Sequence, residues 1–201
     1  MEIFTLLVLV AVGAYVVKSK DQKKRIALLA SHLGKYQIDK LMETLTVGYA
    51  RALRETSPER QTQIWNLLNN SESALREQFG RFAADFARVD EADTKISLLP
   101  VAIPFADKLF PGATFDLRKA LAIHANGIRL TADIVAPHTF KDKAYTLSAE
   151  MMLMRHTCHW FCRSKIVASA RMLSQHQTSY EQLLAAVSPE TRKAYQALIA
   201  A

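Results

Sequence analysis

The stretch IFTLLVLVAVGAYVV at residues 3–17, followed by KSKDQKKR at 18–25, decides the architecture. Fifteen consecutive residues without a charge give way at once to Lys18, Lys20, Lys23, Lys24 and Arg25, opposed only by Asp21. A helix that spans a bilayer wants about 20 apolar residues, and at about 1.5 Å per residue this run covers about 22 Å. Met1, Thr5 and a snorkelling Lys18 have to supply the remainder.

Three readings compete for the run. A secretory signal needs a basic leader, whereas Glu2 is the only charged side chain ahead of it. Val12-Gly13-Ala14 has the small-residue character of a cleavage site, and cleavage there would leave an exported soluble helical protein. A core helix seldom starts at residue 3 with no polar face. A single membrane anchor over residues 1–17 fits best, with a basic juxtamembrane segment at 18–30 and a helical domain at 31–201. The basic flank follows the run, so the positive-inside rule places the N-terminus outside and the bulk of the chain in the cytoplasm. Two cysteines without an obvious framework agree with a reducing compartment.

The remaining composition narrows the class. With 201 residues, half of them apolar, six glycines and six prolines, the chain is neither disordered nor fibrous. Its net charge of +7 is localised: residues 31–90 carry eight basic and eight acidic side chains, and 91–150 carry seven of each. The excess sits beside the anchor and after Met151. A nucleic-acid binder should show a basic face interleaved with aromatics, and the neutral middle offers none, so no nucleic-acid partner is expected. Membrane lipid and another protein are the expected partners.

Beyond the anchor, apolar residues recur at three and four, predicting an all-α bundle of about six helices. The expected helices cover about 35–55, 57–89, 117–135 (ended by Pro137), 141–176 and 188–201. Ser57-Pro58-Glu59 and Ser188-Pro189-Glu190 are start signals, each with a capping serine, a proline in the first turn and an acid favoured by the helix dipole. Between about 93 and 115, Pro100, Pro104, Pro111 and Gly112 break a strongly apolar stretch. That loop is expected to pack across the bundle with a short helix near 105–110, or to touch a partner or the membrane.

Two features carry candidate chemistry. In His156-Thr-Cys158-His159-Trp-Phe-Cys162, helical spacing puts the cysteines about 40° apart and His159 about 60° from Cys162. Two or three of His156, Cys158, His159 and Cys162 could therefore share a face and hold Zn or Cu(I). A closed site needs a further ligand from another helix, and the plainer reading is core packing with no cofactor. The other feature is a stretch from Met151 to Tyr180 with no acid at all, in which Arg155, His159 and Arg163 stack at i, i+4 and i+8, with Arg171 beyond. Such a stripe either pairs with acids elsewhere in the bundle, Asp85, Asp90 or Glu72 among them, or faces an anionic partner.

No nucleophile elbow, phosphate-cradling glycine loop or paired zinc-binding histidines are present. The acid–base pairs one could draw, His124 with Asp133 and His156 with Glu150, fall on different helical faces. The expected function is a non-catalytic, membrane-anchored interaction or scaffold module.

Overall fold

A computed structural model describes residues 2–103, 105–134 and 140–200. The first helix, α1 (Glu2–Leu33), runs unbroken through the apolar stretch and the basic flank. It is long and apolar enough to cross a membrane, and its hydrophobic window is entirely unburied by the rest of the chain. Its last turns do pack: Leu29 is buried, and Leu28 and Leu33 rest against the core. Arg25 donates from Nη1 to the Lys95 carbonyl at 2.7 Å, pairs with Asp21 and lies over the Phe161 ring at 5.2 Å. Residues 18–33 thus continue the apolar run as one helix whose last turns pack on the bundle.

α2 (Ile38–Arg54) and α3 (Pro58–Phe86) form a helical hairpin. The Ser57 side chain accepts from Arg60 N and Pro58 opens α3, as the start signal predicts. Leu75, Phe79, Phe82 and Phe86 then bury one face of α3 completely. α6 (Leu117–Ala132) is capped by Asp116, which accepts from Arg118 N. The stop expected at Val135–Pro137 lies outside the described residues, as does Pro104. The central helix is α7 (Phe140–Cys162), buried on most of its faces and packed against α1, α2 and α6.

The single helix expected over 141–176 is two. α7 ends at Cys162, and Ser164 (φ −168°, ψ 166°) is extended, its hydroxyl accepting from Val167 N to open α8 (Lys165–His176). α9 (Tyr180–Ala186) follows with a capping box between Ser179 and Gln182, and α10 (Pro189–Ala200) is the last described helix, its Thr191 N bonding the Ser188 hydroxyl.

Residues 93–115 contain a clip the sequence does not announce. After the single turn α4 (Glu91–Thr94), strand β1 (Lys95–Ser97) pairs antiparallel with β2 (Thr114–Asp116), Ile96 opposite Phe115. Trp160 holds this clip from α7, donating from Nε1 to the Ser97 carbonyl at 2.9 Å and meeting the Phe115 ring edge-on. The loop between the strands has one short helix, α5 (Ala106–Leu109), where it is expected. Packing onto the bundle is partial: Ile96 and Phe115 of the strands and Ala106 of α5 are buried, while Val101, Ile103, Phe105, Leu109 and Phe110 are exposed.

One close approach fixes how α6 sits. A Cβ on Gly127 would collide with the Thr191 hydroxyl of α10 and the Glu150 carboxylate of α7. Gly127→Ala is expected to lower stability by about 1–3 kcal/mol through overpacking. Gly80→Ala, on an exposed face of α3 with nothing within 4 Å, should be neutral or stabilising by up to about 1 kcal/mol. Urea midpoints of the two variants check the pair.

Candidate functional site

The stripe residues part company. Arg155 and His159 lie on one wall of an open groove of about 570 Å³ between α1, α2, α7 and α8. Met42, Met151, Met152 and Met154 give the groove its apolar lining, Asp39 and Glu43 face it from α2, and His176 closes the α8 side. Arg155 makes no hydrogen bond or ion pair among the described residues. Burial first, then Arg171 and Arg155, lower the pKa of His159, and burial and Arg155 do the same to His176. Both imidazoles are thus neutral at pH 7, and Arg155 is the groove's cation.

Arg163 stands elsewhere. Because α7 stops at Cys162, Arg163 turns toward α1, where its Nη1 donates to Gln22 Oε1 at 2.7 Å. Among the described residues, Arg171 on α8 reaches only Gln175 of its own helix, at 3.4 Å. None of the acids considered as partners meets the stripe. Asp85 accepts from the Tyr36 hydroxyl at 2.7 Å, Glu72 is held by Lys143 and Tyr49, and Asp90 caps α4 through Ala92 N.

The basic stretch of α1 divides too. Lys24 pairs with Asp93 and Arg25 with Asp21, whereas Lys18, Lys20 and Lys23 make no ion pair among the described residues.

The His/Cys run is spread over several faces. His156 is fully buried, its Nε2 3.0 Å from the Ser169 hydroxyl and its ring against Tyr180. Burial, and then Lys165, bring its pKa down to about 4. Cys158 borders the groove with its sulfur 3.8 Å from Met154 Sδ, and burial pushes its thiol well up. Burial also raises the Cys162 thiol to about 11. Thiols so raised are poor thiolates, and among the described residues no three His, Cys, Asp or Glu side chains are grouped to hold a metal ion.

The drawn acid–base pairs are apart, as their helical faces predict. His124 Nε2 lies 2.9 Å from the Thr157 hydroxyl, itself 2.9 Å from the Tyr195 hydroxyl, in a wholly buried chain. Asp133 pairs with Arg76 and Arg129, and Glu150 accepts from Ser188 N at 3.0 Å.

The groove itself is the feature sequence reasoning missed. Its signal was present: Ser148, Met151, Met152, Arg155 and His159 recur at three and four along one face of α7. No protein-family model matches the chain, and no curated protein or solved structure shows a significant match to it.

Proposed function

We propose that the chain is a single-pass, membrane-tethered helical interaction module, with its N-terminus outside and its bundle in the cytoplasm, that receives a helix of another protein in the Met-lined groove. The observation that carries this reading is the groove: a concave apolar surface with an unpaired guanidinium on one rim and two carboxylates on the other. Methionine adapts its shape to a partner's side chains, and an amphipathic helix buries its apolar face in such a channel. Charge sets the orientation. A partner helix with an acid beside Arg155 and a base beside Asp39 and Glu43 satisfies both rims.

The basic flank supports the address, because lysines that exit a span favour the cytoplasmic side and anionic headgroups. The unbroken α1 supports a stiff tether, which confines the groove near the membrane and raises its effective concentration toward membrane-bound partners. No proton transfer or covalent step is needed for this role.

The test uses the full chain in its native membrane, with a photo-crosslinking residue in place of Met152. A discrete adduct is expected, and Arg155→Glu should abolish it while the thermal midpoint stays unchanged. An adduct indifferent to Arg155→Glu overturns the groove reading. Intact mass of the mature chain tests the address: retention of residues 1–17 supports the anchor, and their loss overturns it in favour of an exported protein.

A further inference from the structure

We infer that the loop between β1 and β2 is a second membrane contact, an interfacial wedge that seats the bundle on an anionic bilayer beside the emerging anchor; this rests on the anchor reading above. The loop leaves a set of large apolar side chains in water, Phe105 54% and Leu109 62% exposed among them, with Val101 and Phe110 alongside. Ile166 and Val167 at the start of α8, both about half exposed, continue the same patch, since Ile166 N donates to the Pro100 carbonyl at 3.3 Å. Contiguous apolar surface of this kind marks a contact site.

Its place on the molecule says what covers it. Phe105 and Lys108 share one cavity with Val17, Lys20 and Lys24 of α1, and Val101 and Ile103 share another with Lys18 and Arg163. The loop thus sits at the level where the apolar run ends and the lysines begin. At about 1.5 Å per residue, Val17 and Lys20 are about one helical turn apart, so a span that ends at Val17 puts Phe105 at the depth of the headgroups. Aromatic and lysine side chains are the residues that occupy that layer.

Two further observations agree. Lys18, Lys20 and Lys108 make no ion pair among the described residues, Asp21 and Asp93 are taken up by Arg25 and Lys24, and Asp107 is the one further acid lining the cavity, so the surroundings of the patch carry a net positive charge. Phe105 also adopts φ 58°, a left-handed conformation costly for a bulky side chain, and its ring stays largely outside the core. A protein partner would suit the apolar patch, but the cations and the depth favour lipid.

The experiment places single tryptophans in the full chain, reconstituted in vesicles of phosphatidylglycerol and phosphatidylcholine with brominated acyl chains. The native Trp65 and Trp160 are buried and form a constant background. Tyr15→Trp reports the anchor, Phe105→Trp and Phe110→Trp report the loop, and Leu67→Trp reports an exposed position on α3. Bromolipid should quench both loop reporters to at least about half the extent seen at Tyr15→Trp and leave Leu67→Trp unquenched. If Tyr15→Trp is quenched while the loop reporters match Leu67→Trp, the wedge is overturned, the patch is left for a protein, and the anchor stands. If Tyr15→Trp is itself unquenched, the anchor reading fails and the wedge with it.

Discussion

Replacing Lys143 with methionine is expected to destabilise the fold by about 3–5 kcal/mol, as breaking one side of a buried ion pair does. Lys143 Nζ lies 2.6 Å from Glu72 Oε2, with the two side chains 13% and 5% exposed. The other carboxylate oxygen accepts from the Tyr49 hydroxyl at 2.6 Å. Burial and the neighbouring Glu72 charge hold the Tyr49 phenol far above its ordinary pKa, so it stays a donor. The trio joins α2, α3 and α7, and removing the ammonium leaves a carboxylate in a dry site with one hydroxyl for company.

A double variant separates this effect from lost packing. Glu72→Leu combined with Lys143→Met removes both charges, and a well-packed apolar pair of similar size costs little or even stabilises. The double variant should therefore lose much less than the two single changes together. Tyr49→Phe, which strips the carboxylate of its hydroxyl donor, should cost about 1–3 kcal/mol. Urea unfolding of the detergent-solubilised full chain at neutral pH reads all four. A Lys143→Met loss below about 1 kcal/mol would mean that the pair is effectively solvated, as surface pairs are.

What could be read from the sequence divides along physical lines. Local chemistry was legible: Ser57-Pro58-Glu59 and Ser188-Pro189-Glu190 open α3 and α10 as their capping atoms require, and the apolar run forms a span-length helix. The break at Ser164 was not, because neither proline nor glycine marks it, and the extended backbone there is fixed by how α8 packs back. The β1–β2 clip was equally hidden. Three-residue strands carry no periodic signal, and this pair is held by Trp160, about 60 residues distant in sequence from β1. The stripe was half legible, since helical spacing puts Arg155 and His159 on one face but reaches Arg163 only if the helix goes on. The partners offered for it were already engaged: Tyr36 has Asp85, and Lys143 has Glu72. A groove assembled from four helices leaves only the methionines and Arg155 of one wall visible in a linear reading.

Acid is the second large perturbation, and its sign follows from two buried histidines. His124 and His156 are fully buried, and desolvation of their charged forms brings their pKa values down from an ordinary 6.5 to about 3 and about 4. The unfolded chain takes up their protons as pH falls through 6.5, while the folded chain does so only near its own lower values. Stability is therefore complete above pH 6.5 and declines from there toward pH 4, at about 1.4 kcal/mol per pH unit for each histidine. At pH 5 the loss is about 2 kcal/mol per histidine, a large share of the 5–15 kcal/mol a domain of this size has.

Other groups modify that slope without reversing its cause. His159 adds to it, since its pKa is also lowered. Glu150 opposes it: burial raises its folded pKa above the ordinary 4.5, so the native state holds a proton the unfolded chain lacks, and this stabilises as pH falls toward 4.5. The paired Asp116 and exposed Glu91, both lowered, lose their contribution only at the acid end. A difference measurement isolates the histidines. The slope of unfolding free energy against pH counts protons taken up on unfolding, and near pH 5 His156→Gln should reduce that count by about one. Glutamine retains a donor toward the Ser169 hydroxyl, so the variant is expected to fold. An unchanged slope would mean that His156 titrates alike folded and unfolded, which a ring enclosed by Ser169, Tyr180 and Trp160 has no water to allow.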